Sequence, residues 1–385
     1  MSGKGTVVVL GGGVGGLVAA RALRRKLPGS HRVIVVDRED NHVFAPSLLW
    51  LMTGDRTAAS ISRPLARLRR RGIDFVRGEI RSIRSEHHSV EVDEEVIEGD
   101  HIVVSLGADL APENIPGLAE AGFNLFTLAG AEALRDEFSR IEGGRVVVLT
   151  AAPAYKCPAA PYEAAMLLAD LLRKRSVRDL VQIDIYAAEP GPLGVAGPEV
   201  SAGVRQMVES KGIGYHPEHR VVEVDPGQRQ ITFSNGARAS FDVLAFVPPH
   251  RAPRVVLDSG LVDETGWVPV DRHTLETRHP GVYAIGDVTT IPLAVGKPLP
   301  MAGVFAHGQA EVVASNIARS VTGKGQPARF DGHGGCFIET GAGKAGFGRG
   351  DFYAEPTPQV KLYNVGRRWH LGKVVFEQRW LRRRI

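Results

Sequence analysis

The feature that most constrains this chain is a glycine run near its start. Thr6-Val7-Val8-Val9-Leu10 is short, β-branched and apolar, the composition of a strand buried on both faces. Gly11-Gly12-Gly13-Val14-Gly15-Gly16 follows at once, and Leu17 to Leu23 then reads as helix. A second apolar strand, Arg32 to Val36, ends in Asp37, 21 residues beyond Gly16. Strand, glycine turn, helix and acid in this order predict a βαβ unit that holds an ADP-containing dinucleotide. Gly11 makes the turn, Gly13 lets the backbone approach the pyrophosphate, and Gly16 lets the helix close on the strand. The helix N-terminus, at Val14, faces the phosphates, and Asp37 accepts from the ribose hydroxyls. An acid rather than an arginine at 37 disfavours a 2′-phosphate on that ribose.

A later segment points to which dinucleotide this is. Residues 274–287 read as a short strand ending in Gly286-Asp287. This resembles the second flavin motif of flavoproteins with two dinucleotide domains, in which the aspartate binds the ribityl chain. His307-Gly308-Gln309-Ala310 fits the same layout. The expected cofactor is FAD, with Gly11, Gly13, Val14, Gly16, Asp37, Gly107, Gly286 and Asp287 as its binding residues.

Flavoproteins of this architecture usually carry a second glycine loop for a nicotinamide nucleotide. Its place here follows the buried strand Arg145 to Thr150, where residues 151–163 contain no glycine. Proline removes donors, and Cβ atoms block the approach a pyrophosphate needs. Glu163 to Leu172 still reads as a helix, so the fold is expected to persist and the nicotinamide site to be lost. In place of the glycines stands Cys157, just before a helix expected to start near Pro161. The helix dipole and Lys156 are expected to favour its thiolate, lowering the pKa from about 8.5 toward 7. Cys336, flanked by Gly334 and Gly335, is the only other cysteine.

Two cysteines exclude a disulfide-rich scaffold and a four-cysteine zinc site; no metal is expected. At roughly 150 residues per domain, 385 residues suggest two or three domains. The net charge of +4 gives no reason to expect nucleic acid as a partner. That charge is unevenly spread, with eight Lys and Arg and one acid in residues 361–385, so the tail is +7 and the rest −3. No run of 18 apolar residues occurs, and the strand pattern begins by Thr6, so neither a membrane span nor a signal peptide is expected.

The chain resembles the sulfide:quinone oxidoreductase and flavocytochrome c sulfide dehydrogenase family over nearly its whole length. The residues that carry this are Gly11 to Gly16, Tyr155-Lys156-Cys157-Pro158-Ala159-Ala160-Pro161-Tyr162-Glu163 and Phe246 to Pro253. Gly286-Asp287, Ala302 to Ala306 and Gly334-Gly335-Cys336 continue the likeness. The resemblance implies that Cys157 and Cys336 form a redox pair against FAD. Hydrosulfide attacks one sulfur, leaving a persulfide, and the released thiolate delivers electrons to the flavin. Glu163 is the nearest motif acid, placed to act as base or to hold the loop. Many quinone-reducing members carry a third cysteine upstream, and this chain has none; it is also shorter than typical quinone reductases, whose C-terminal helices dip into the membrane. Two cysteines match the flavocytochrome branch better, yet that branch is exported and no export signal is written here.

The expected architecture is α/β, with two Rossmann-like dinucleotide-binding domains as in glutathione-reductase-like flavoproteins, and a C-terminal interface segment. The flavin domain is expected at 1–112 and 271–330, the second domain at 113–270, and the interface segment at 331–385. In the tail, Trp369, Phe376 and Trp380 mix with arginines, which suits peripheral membrane contact through 361–385; a capping strand pair with solvated arginines is the plainer alternative. Lys297 and Phe337 are the acceptor-side candidates. The expected activity is oxidation of sulfide, or another small thiol, to zero-valent sulfur or polysulfide with quinone as acceptor. A type II NADH:quinone-like or disulfide oxidoreductase, and a non-catalytic flavoprotein that binds or assembles, are the alternatives. The reading places synthesis in the cytoplasm and is compatible with a homo-oligomer.

Overall fold

The computed structural model describes residues 5–383 and 385; the start of the chain before Gly5, and Arg384 in the basic tail, lie outside them. Two five-stranded parallel sheets form the frame, and the second repeats the first. Across the first the order is Val282–Ala284, His101–Val104, Thr6–Leu10, Arg32–Asp37, Asp74–Arg77. Across the second it is Phe123–Asn124, Val243–Val247, Gly144–Thr150, Val181–Ala187, Gly214–His216. Each sheet also carries a three-stranded antiparallel meander, Ile80–Arg84 to Glu95–Glu98 in the first half and Val221–Asp225 to Arg238–Ser240 in the second. The expected α/β class with two Rossmann-like sheets is therefore what the chain adopts.

The central strands are continuous apolar runs because helices or meanders cover both faces. Val8, Val9 and Leu10 have no exposed surface, and Val146 and Val147 likewise. Helices Val14–Lys26 and Gly303–Thr322 pack together over the first sheet, and helix Ala160–Lys174 covers the second. The chain leaves the first half and returns through a two-residue antiparallel pairing, Asp109–Leu110 with His250–Arg251.

A C-terminal antiparallel sheet, His333–Gly341, Lys344–Asp351 and Gln359–Gly366, lays its first strand along helix Ala160–Lys174. That contact carries Cys336 to the second half. The tail does not form the alternative strand pair: after one strand it forms helix Arg367–Arg383, whose inner face buries Lys373, Glu377, Trp380 and Leu381. Arg56 forks onto Glu377 and Ser47 donates to the same carboxylate, fixing the helix to the first half. Leu371, Val375 and Phe376 stay on its outer face, Leu371 61% exposed.

Candidate active site

The first nucleotide loop is shaped by glycines that nothing larger replaces. Gly11 has φ +100°, and a Cβ there would lie 2.5 Å from the Ser105 carbonyl. At Gly16 a Cβ would strike the Gly11 carbonyl. Gly13 caps the helix at Val14 and has nothing within 4 Å of its Cβ position, so the N–H end of the helix is open to an anion. Asp37 is turned onto the loop, accepting from the Gly12 and Glu39 N–H groups. His42 braces it further: its Nδ1 meets the Gly12 carbonyl at 2.9 Å and its Nε2 accepts from Trp380 at 3.0 Å. Burial lowers the His42 pKa to about 4, so the ring is neutral with its proton on Nδ1.

The other flavin residues border the same cleft. Gly107 and Gly286 both take positive φ, and the Gly286 N–H donates to Gln309. Asp287, on the turn Gly286–Val288, has no hydrogen-bond partner among the described residues; burial raises its carboxyl, with Lys156 opposing. An open helix N-terminus for a pyrophosphate and an unengaged carboxylate for a polyol chain fit FAD.

The second loop is closed. Just past the strand Val181–Ala187 stands Glu189, and three hydroxyls hold it: Thr150 at 2.8 Å, Tyr155 at 2.5 Å and Tyr162 at 2.8 Å. Both tyrosines are buried and their pKa values are raised, so they stay donors. Side chains thus fill the turn that follows strand Gly144–Thr150.

Cys157 sits in this turn at φ +50°, a conformation that costs a non-glycine residue about 1–2 kcal/mol. Its N–H donates to the Met301 carbonyl at 2.8 Å, and its own carbonyl accepts from Ala160 at 2.9 Å. Helix Ala160–Lys174 starts there, with Pro161 and Glu163 in its first turn. The expected activation of the Cys157 thiol is overturned: burial, then Cys336 and Glu163, hold it well above its ordinary value. Lys373, not Lys156, is the cation that opposes them. Lys156 is itself lowered by burial and faces Asp287, Cys157 and Asp109. Cys336 opens onto the cleft, but burial and Glu163 push its thiol up to about 12. A helix dipole is a half charge acting through solvent, and here it is outweighed by removal of the thiol from water.

Glu163 is 2% exposed; its Oε1 accepts from Lys373 Nζ at 2.8 Å and from the Glu339 N–H at 2.9 Å. Helix Ala160–Lys174, strand His333–Gly341 and helix Arg367–Arg383 therefore meet at this carboxylate. Cys336, Glu163, Lys373 and Asp287 all lie near enough to Cys157 to act on its thiol; Lys373, like Glu339 and Glu189, was missed by sequence reasoning. Lys373 looked like one more basic residue of the tail. Its spacing from Trp369, Phe376 and Trp380 on one helix was the signal available. Phe337 lies beside this group, 5.0 Å from Phe347 and packed near Gly372. Lys297 does not join it: it stays exposed on a loop, its ammonium near Gly194.

The fold and cleft define a two-domain FAD-binding oxidoreductase, and residues 5–310 match the profile of the pyridine nucleotide-disulphide oxidoreductase family, to which the chain belongs. Within that family it is similar to sulfide:quinone oxidoreductases. The mitochondrial sulfide:quinone oxidoreductase of Dictyostelium discoideum is 25% identical, covering 88% of this chain and 76% of that protein. The sulfide-quinone reductase of Aquifex aeolicus is 27% identical, covering 97% and 90%. The X-ray structure of the sulfide:quinone oxidoreductase from Aquifex aeolicus superposes with a TM-score of 0.88 at 25% identity, over 99% of this chain and 91% of that one. No helix among the described residues is long and apolar enough to cross a membrane.

Proposed function

We propose that this protein oxidises sulfide at the Cys157–Cys336 pair and passes the electrons through FAD to a quinone. The observation that carries the reading is that the chain's two cysteines, from distant segments, come near enough for Cys336 to act on the Cys157 thiol, with Glu163 and Lys373 acting on both. Similarity to sulfide:quinone oxidoreductases and a second nucleotide loop sealed by its own side chains support it.

In the oxidised protein the pair is a disulfide. Hydrosulfide attacks the Cys157 sulfur; a new S–S bond forms there, the bond to Cys336 breaks, and Cys336 leaves as thiolate. Lys373 lowers the Cys336 thiol against burial, so the departing charge has a counter-ion. FAD, when bound, supplies the two-electron acceptor. Each hydrosulfide thus yields one zero-valent sulfur held on cysteine, two electrons and one proton. A further hydrosulfide attacks the outer sulfur of the persulfide: a new S–S bond forms, the bond to Cys157 breaks, Cys157 leaves as thiolate, and the product departs as hydrogen disulfide.

The aromatic group of Phe337, Phe347 and Trp369 offers a quinone ring its stacking surface. Beside it, Leu371, Val375 and Phe376 among the tail's arginines suit an anionic lipid surface, where quinones reside.

The test mixes the yellow protein without oxygen with sulfide and, separately, with NADH, following flavin absorbance. Bleaching by sulfide, lost in Cys157→Ser while the protein stays yellow, is the expected result. Bleaching by NADH alone would overturn the reading in favour of an NADH-linked enzyme. Bleaching by neither, with FAD retained in a Cys157→Ser/Cys336→Ser double variant that still binds its partner, would favour a non-catalytic flavoprotein.

A further inference from the structure

We propose that Tyr155 and Glu189 are a positioning pair for the cysteine chemistry: their hydrogen bond holds the turn that bears Cys157 in the backbone conformation from which its sulfur reacts. The inference rests on the sulfide reading above and adds to it a tie that acts on Cys157 only through the backbone.

The turn between strand Gly144–Thr150 and helix Ala160–Lys174 has little backbone support of its own. At its start the Ala151 N–H donates to the Val247 carbonyl at 2.9 Å, and near its end the Cys157 N–H donates to the Met301 carbonyl at 2.8 Å. From Ala152 to Lys156 no backbone hydrogen bond forms among the described residues. Two non-glycine residues of the turn, Ala154 at φ +65° and Cys157 at φ +50°, nevertheless take the left-handed conformation. An L-residue stays there only where its surroundings impose it. Cys157 is bound at its own N–H, whereas Ala154 lies exposed without such a bond.

What fixes Ala154 is its neighbour. Tyr155 is 6% exposed, while Pro153 and Ala154 lie on the surface and Lys156 and Cys157 are half-buried. Its ring packs in the core of the second half, and its hydroxyl donates to Glu189 Oε1 at 2.5 Å. Glu189 is fixed in turn by the neighbouring helix and strand: Tyr162 donates to the same oxygen at 2.8 Å, and Thr150 to Oε2 at 2.8 Å. Filling the turn would need only the ring of Tyr155. The hydroxyl on a carboxylate adds direction, because a charge-assisted hydrogen bond is both strong and narrow in geometry. With the ring so fixed, the backbone on either side, Ala154 before it and Lys156-Cys157 after it, has little room to turn.

Hydrosulfide attack needs the Cys157 sulfur held in one geometry against Cys336. A turn free to relax at Ala154 would present that geometry in only a fraction of the molecules, and the rate would fall by that fraction.

Tyr155→Phe keeps the ring and removes the tie. It should retain FAD, and sulfide should bleach it about tenfold more slowly than the unaltered protein. Glu189→Leu should be as slow, and the two changes together no slower than either, since each breaks the same bond. Tyr162→Phe removes the other hydroxyl from the same oxygen, but its backbone is held by the hydrogen bonds of helix Ala160–Lys174. It should lose about as much in denaturant midpoint as Tyr155→Phe and still bleach at the unaltered rate. Adding Ala154→Gly to Tyr155→Phe relieves the backbone at φ +65° and should restore most of the bleaching rate, a rescue that a merely stabilising contact would not give. Equal bleaching rates in Tyr155→Phe and Tyr162→Phe, additive slowing in the double variant, or a slow Tyr155→Phe that glycine does not rescue overturns the pair while the sulfide reading stands. Absence of sulfide bleaching in the unaltered protein overturns both.

Discussion

The two nucleotide halves share a sheet order and differ in what fills the turn after the first strand. In the first half the turn is glycine, the helix N-terminus is open, and the acid after the second strand, Asp37, holds the loop backbone. In the second half the acid just past the matching strand, Glu189, is bound by Thr150, Tyr155 and Tyr162. The parallel pairing on either side is the same. The two turns thus differ in filling rather than in fold: in the second, side-chain hydroxyls satisfy the buried carboxylate. The same turn carries Cys157.

Gly16→Ala should break the comparison most sharply, because its Cβ collides with the Gly11 carbonyl and the Ser105 hydroxyl. Flavin affinity should fall about a hundredfold or more, with a loss of about 1–3 kcal/mol in stability from overpacking. Dialysis followed by flavin absorbance and a urea titration reads both. The matched change in the second half, Pro153→Gly, should leave NADH unbound, since the tyrosines still fill the site.

Tyr155→Phe combined with Tyr162→Phe removes two of the three hydroxyls on Glu189. Each lost donor to a buried carboxylate should cost about 1–3 kcal/mol, seen as a lower denaturant midpoint. FAD retention should be unchanged, since the first half is untouched. Adding Glu189→Gln should recover part of that loss by removing the unpaired charge.

The smallest effect concerns the brace present only in the first half. His42 titrates at about 4 in the folded protein against 6.5 unfolded, so as pH falls the unfolded chain takes the proton first. Stability is therefore full above pH 6.5 and lost progressively between pH 6.5 and about 4, by roughly 3 kcal/mol in total. His42→Asn should remove that part of the pH dependence, measured by urea titrations at intervals across the window.

The glycine loop, both central strands and the first turn at Pro161 were legible because backbone sterics and side-chain period act over a few residues. The absence of glycines after Thr150 was equally plain, but the carboxylate that the turn's hydroxyls hold was not, since Glu189 lies just past another strand. The thiol prediction failed for a related reason. Lys156 is the neighbour in sequence, whereas Lys373, Glu163 and Cys336 are neighbours in space. Lys297 looked well placed beside Pro298 and Met301, yet its loop turns the ammonium to Gly194. The tail's mixture of arginines and aromatics gave no sign that packing of Trp380 and Leu381 would make one of its faces core.

Sequence by itself determined the class of fold, the cofactor-binding turn, the absence of a second glycine loop and the presence of two cysteines. These follow from local conformational preference and from composition, which need no partner segment. Tertiary structure alone decided that Lys373 and Glu339 are buried with Glu163, that Cys336 acts on Cys157, and that both thiols are raised. Burial and electrostatic neighbourhood depend on segments hundreds of residues apart meeting in a low-dielectric interior, and no spacing along the chain encodes that meeting.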